Sequence, residues 1–297
     1  MCAPVARVAP CRAVGERKYE SGMPLNYDLR REAHAIGEFS ASLNFSNQVN
    51  VNTFANVVPL LKNAADSLNL PAPMNMQVLN FGIGNFPVQL PTAGSGFQRF
   101  ASNGEIACSL WCDQTSITLT VREYDRWHNI LPSIVKTFSS IAPAYIAEVP
   151  AIRSFSLQYL NEFRARDASI RSAAEIFRPQ SKWISPFAFE SDEPWHCHIG
   201  QFIPTELGYR NLVNINCDVA TAQFPPEQAT RNYAKALILA ACHYDLPDVG
   251  PLIAHLDTIS DVIRVNFDAA HTLEKKLLGE IISDGYLAIM GEGANEH

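Results

Sequence analysis

Polar and apolar positions alternate with a period of two over much of this chain, and amphipathic stretches of helical period separate the runs. Phe39, Ala41, Leu43 and Phe45 interleave with Ser40, Ser42 and Asn44, which predicts a half-buried strand. Asn52 or Thr53 then stands where an N-cap belongs, ahead of Phe54, Val57, Val58, Leu61, Ala65 and Leu68 at helical spacing; Pro71 and Pro73 end that helix. A strand around Met76–Ile83 and a Pro/Gly-rich loop over 87–96 are expected next. Ile106, Cys108 and Leu110, then Ile117, Leu119 and Val121, form two alternating runs joined at Asp113-Gln114, the pattern of a hairpin. A second helix carries Trp127, Ile130, Leu131, Ile134, Val135, Phe138 and Ile141, and Pro132 implies that it either begins near that residue or kinks there. After Pro150, Phe155, Leu157, Tyr159 and Phe163 face one way while Ser154, Ser156 and Gln158 face the other.

The second half repeats the theme more loosely. Cys197, Ile199 and Ile203 alternate with His196 and His198, and Val213, Ile215, Cys217 and Val219 alternate with Asn214, Asn216 and Asp218. Pro225-Pro226 opens an expected helix through Tyr233, Leu237, Ile238 and Ala241, and a short strand is expected at Leu252–Ile259. Asn266 then caps a final helix with Phe267, Ala270, Leu273, Leu277 and Ile281. Period-2 runs with hairpin-length loops and few crossover helices point to an α+β fold: two ferredoxin-like or related halves, each an antiparallel sheet with helices on one face. The divisions are a flexible leader over 1–30, an N-terminal half over 31–165, a linker region over 166–195, a C-terminal half over 196–290 and a tail over 291–297.

Composition narrows the class. The chain has 297 residues, 47% hydrophobic and 18% charged, with a formal charge of −7, which sets aside disordered and collagen-like classes and weighs against a protein that coats nucleic acid. No apolar run reaches the roughly 18 residues that cross a bilayer, so no membrane partner is expected. Residues 1–31 hold six Lys/Arg against three acids, without the apolar stretch of a secretory signal. Seven cysteines without C-x-x-C spacing fit reduced thiols in the cytoplasm, with Cys108 and Cys112 on one strand face as small buried hydrophobes.

Three groups of residues carry candidate chemistry. His196 and His198 project to one face of a strand just after Asp192 and Glu193, a donor pattern suited to zinc or iron, although no closed ligand set completes it and no cofactor or stoichiometric metal is expected. Asp268 and His271 lie one turn apart on the last helix, the spacing of an acid–base pair. Arg153, Arg164, Arg166, Arg171, Arg178 and Lys182 form a basic run, with Phe177 and Trp183 beside it, of the kind that grips RNA or a phosphorylated ligand. Against each stands an ordinary structural role: a wet strand face, a hydrogen-bonded core histidine and a solvated linker. Cys197 fails as a nucleophile between His196 and His198, because neighbouring strand side chains point to opposite faces.

From GFQRFAS (96–102) onward the order of features resembles a sporadically distributed bacterial family of uncharacterised proteins. The likeness rests on Tyr124-x-x-Trp127, on Arg153-x-x-x-Leu157-x-Tyr159-Leu160-Asn161 and on the late Asp268-x-x-His271 helix, and it spans 36–290. The chain departs from the family pattern at Ser156 and Gln158, which stand for Gly and Arg, and in its longer leader. The resemblance implies no established activity. It implies an α+β fold in which Tyr124, Trp127, Arg153, Tyr159 and Asn161 mainly serve folding, and a phage-defence or toxin-control setting. Together these point to a non-catalytic binding or regulatory protein acting through a protein partner, a second copy of the chain included. The alternatives are an RNA-binding or RNA-processing protein using the basic segment over 153–182, and a metal-dependent hydrolase using His196 and His198.

Overall fold

The computed structural model describes residues 26–30, 34–74, 94–149, 152–167, 174–190, 193–205, 209–224, 229–243 and 258–290. The strand expected at Met76–Ile83, most of the loop over 87–96 and of the short strand after Leu252, residues 1–25 of the leader, the tail and Arg171 lie outside them. The end of the expected flexible leader is instead ordered: Tyr27–Leu29 is a strand paired with Phe163–Ala165, and Tyr27 is buried.

The strands are β1 (Tyr27–Leu29), β2 (Ile36–Phe45), β3 (Ala72–Pro73), β4 (Gly94–Phe100), β5 (Ile106–Asp113), β6 (Ser116–Val121), β7 (Ile152–Ala165), β8 (Trp195–Pro204), β9 (Arg210–Phe224) and β10 (Ala229–His243). Among the described residues four α-helices accompany them: α1 (Val51–Ser67), α2 (Trp127–Ile146), α3 (Ile259–Ile281) and α4 (Asp284–Ile289). Every pairing is antiparallel, in the order β3-β4-β5-β6-β2-β7-β10-β9-β8, with β1 on the end of β7. The fold is α+β, with the helices against one face. The two expected halves share this single sheet, joined where β7 pairs with β10 from Arg164↔Tyr233 to Ser154↔His243.

Strand alternation decides which face is which. In β2, Phe39, Ala41 and Leu43 are fully buried and sit across from Tyr159, Leu157 and Phe155 of β7, which in turn face Ile238, Ala240 and Cys242 of β10. This apolar surface continues through Val213, Ile215 and Cys217 of β9. It divides into two packed cores. In the first, α1, α2 and the opening turns of α3 cover β2, β5, β6 and β7. In the second, the end of α3, α4 and the segment over 176–188 cover β9 and β10.

Among the described residues no helix packs on the opposite face. Ser40 pairs with Thr120 and Ser42 with Thr118 through their hydroxyls, at 2.6 and 3.0 Å, and Asn44 Nδ2 donates to Ser154 Oγ at 3.0 Å. Trp111 lies across Gly94 and Gly96, where a Cβ would overlap the indole, so only glycine admits the ring.

Three local expectations are corrected. The first helix is capped by Asn50, not Asn52 or Thr53: Asn50 Oδ1 accepts from the Thr53 backbone N–H at 2.9 Å. Helix α3, expected as the final helix, starts at Ile259 under Thr258, whose side chain accepts from the Asp261 N–H, and α4 follows it; Asn266 is buried inside α3 and donates to the Val262 carbonyl one turn back at 2.8 Å. The helix expected after Pro225-Pro226 is strand β10, with Ala234, Ala236, Ile238 and Ala240 buried and Tyr233, Lys235, Leu237 and Leu239 half-buried on the open face. Its alanines favour a helix locally, but a strand pairs on both sides, with β7 and with β9, and that non-local pairing prevails. As for α2, it starts at Trp127 and runs through both Pro132 and Pro143.

The strand assignment has a direct test. Leu237→Lys, on the open face, should cost no more than about 1 kcal/mol, whereas Ala236→Lys, one residue away, buries a charge and should cost more than about 3 kcal/mol or abolish folding. Urea unfolding of the two variants reads the difference; equal losses would contradict the register.

Candidate functional site

Tyr124, Trp127, Tyr159, Asn161 and His271, drawn from all three motifs, line one cleft, whereas Arg153 lies outside it. Its walls are the start of β2 with His34, the β6–α2 connection from Tyr124 to His128, Tyr159 and Asn161 of β7, the outward ridge of α3, and Met290 beyond α4. On α3, Asp268, His271, Glu274 and Leu278 recur at three- and four-residue spacing, so they form a ridge along one side of the helix. The cleft encloses about 520 Å³.

Within it the aromatic and acid–base side chains are tied to one another. The Trp127 indole N–H donates to Asp268 Oδ1 at 2.7 Å, and its ring stacks on His271, with centroids 4.4 Å apart and planes 17° from parallel. His271 Nδ1 shares a hydrogen bond of 2.9 Å with the Tyr159 hydroxyl. Tyr124 meets Tyr159 edge-on at 5.8 Å, and both pack against Phe39. Burial, aided by the charge of Lys275, holds the His271 pKa down at about 4, so the ring is neutral at neutral pH. Asp268 and His271 thus have different partners, each bracing an aromatic residue. Deeper in the cleft lies Asn161, 1% exposed; its Nδ2 reaches the Ala236 carbonyl at 3.4 Å, and among the described residues its Oδ1 has no hydrogen-bond partner.

The other candidates are dispersed. His196 bonds Asp218 and His198 bonds Asn214 on the open face of β8 and β9, with their rings 6.5 Å apart. Among the described residues no group of three or more His, Cys, Asp or Glu side chains is placed to hold a metal. Arg153 and Arg164 stand near opposite ends of β7, eleven residues and so roughly 36 Å apart. Arg166 pairs with Asp28, Arg178 with Asp284 and Lys182 with Glu280, so the basic run does not gather into one surface. Cys108, Cys112, Cys217 and Cys242 are buried, and desolvation raises all four thiol pKa values, to about 11 for Cys108 and Cys242. They pack as neutral apolar groups.

Glu274 was not among the sequence candidates, yet it is a 3% exposed carboxylate on the cleft wall. The signal was present, because Glu274 interrupts the apolar stripe of Phe267, Ala270, Leu277 and Ile281. No family model matches the chain, and no curated protein or solved structure matches it.

Two outcomes follow from the bracing. Replacing Trp127 or Tyr159 with alanine should destabilise the protein by about 3–5 kcal/mol in denaturant titrations, as large-to-small changes in packed interiors do. Because the folded-state pKa of His271 lies below its ordinary 6.5, the unfolded chain binds the extra proton between pH 6.5 and 4. Stability is therefore full above that window and falls through it by up to about 3 kcal/mol as the pH drops. In His271→Gln the acid-side slope of Tm against pH should be visibly shallower.

Proposed function

We propose that this chain is a non-catalytic binding protein of the cytoplasm that acts through a protein partner, which meets the face of the sheet opposite the described helices. One observation carries this reading. The belt of that face running through Ser42, Ser156, Gln158, Leu239 and Asn214 holds no charged side chain; Glu38, Arg122, Glu162 and Lys235 lie toward one end of the face and Arg153 and Arg210 toward the other. A broad, half-buried, uncharged surface suits a partner of matching polar and aliphatic character, since charged residues are depleted at the centres of protein interfaces. Asp268 and His271 add support: both hold aromatic side chains in place, an arrangement for shape rather than proton transfer. No described helix is long and apolar enough to cross a membrane. The regulatory setting implied by the resemblance, phage defence or toxin control, belongs to the same proposal.

Gln158 and Leu239 are register partners at the middle of this belt. A Gln158→Arg/Leu239→Arg variant should remain folded and lose at least about tenfold in partner affinity, because unpaired charges would be desolvated at the contact. Val265→Arg, on the exposed side of α3, should retain the partner. Quantitative affinity capture from the native host, comparing these variants, reads the difference. RNA captured in place of protein, with log affinity falling steeply against log salt, would overturn the proposal.

A further inference from the structure

We propose that the cleft between α2 and α3 binds a small basic amino acid, head first, with its ammonium or guanidinium group at depth and its carboxylate at the rim. The volume of about 520 Å³ lies within the usual range for small-molecule sites. The walls come from β2, the β6–α2 connection, β7 and α3, segments brought together only by the completed fold.

The chemistry at depth calls for a donor-rich, cationic group. Asn161 Oδ1 is a buried acceptor without a donor among the described residues, a desolvated state that an arriving N–H would relieve. Glu274 lines the same cleft, and a carboxylate has about four lone-pair positions, so it can accept from a ligand whatever else it holds. The rings of Tyr124, Tyr159 and Trp127 line the walls, and aromatic faces stabilise a cation brought within about 6 Å of them. These rings are already fixed, Trp127 by Asp268 and Tyr159 by His271, so little side-chain freedom remains to be lost on binding.

The mouth has the opposite character. Arg126 is exposed at the N-cap position of α2, and half-buried Lys275 stands on α3; the one exposed acid of the lining, Asp125, accepts from Asn129 Nδ2. The first backbone N–H groups of α2 add their partial positive charge to the same rim. A ligand with cationic head and anionic tail matches both ends, whereas a dicarboxylate would set its charges against Glu274.

Calorimetric titration of the full chain with L-arginine, L-lysine and agmatine tests the proposal, with succinate as the anionic probe. At least one of the two amino acids should bind saturably below about 10 mM and raise Tm. Agmatine, which keeps the guanidinium but lacks the carboxylate, should bind more weakly. Glu274→Gln, which keeps the side-chain shape, should weaken amino-acid binding by at least about tenfold, the loss of one charge-assisted hydrogen bond, and Arg153→Ala, outside the cleft, should leave it unchanged. Asn161→Asp, read on samples whose melting curves show a folded protein, should tighten binding of the cationic head. A capped Gly-Arg-Gly peptide that binds as tightly as free arginine would identify a partner's side chain, rather than a metabolite, as the source of the same head group. Absence of saturable binding by every cationic probe to the folded chain, undiminished binding to Glu274→Gln, or preference for succinate would overturn the site.

Discussion

The structure depends on β7 being paired along both edges. Over its fourteen residues it takes β2 and then β1 on one side and β10 on the other, so the strands before it and after it share one sheet. A strand paired on both sides satisfies all its backbone groups internally, and its inward side chains can then be wholly apolar. Phe155, Leu157, Tyr159 and Phe163 form that row, and α3 packs on it and on β10, while α1 reaches the sheet at β4 and β5. The cleft lies on the same row: Tyr159 and Asn161 are its successive inward positions, the first with a phenol hydroxyl and the second with an amide where another hydrocarbon would be expected.

Much of this was legible in the pattern of the chain. Strict alternation marked β2, β5, β6, β7, β8 and β9, because each has one apolar and one polar face and a two-residue period has no competing interpretation. Strand β10 was read as a helix. Its inward residues are mostly alanine, which gives weak contrast between faces, and the decisive stabilisation comes from partners distant in sequence. The caps were displaced for a related reason. Asparagine has the same capping chemistry wherever it occurs, and only the chain direction at Asn50 and the burial of Asn266 separate a cap from an interior residue.

The candidate site was legible in pieces. Tyr124, Trp127, Tyr159 and Asn161 were read as one group, and Asp268 with His271 as another; their meeting is a tertiary fact that neither spacing contains. One turn of helix placed Asp268 and His271 side by side, yet each reaches across to a different element, Asp268 to the Trp127 indole N–H and His271 to the Tyr159 hydroxyl. The basic run shows the converse. Arg153 and Arg164 are neighbours in sequence but lie along an extended strand, where proximity along the chain becomes distance in space.

Helix α3 crosses from one core to the other. Val262, Ile263, Phe267 and Ala270 are embedded in the first core, and Leu277, Leu278 and Ile281 in the second. His271 and Glu274 occupy the short stretch between these anchor points, above the seam where the two cores meet. The helix therefore acts as a beam clamped at both ends, and the cleft opens over its unclamped span. A load applied there is transmitted to both supports: whatever presses on His271 or Glu274 presses at once on the packing beneath β2 and on that beneath β9.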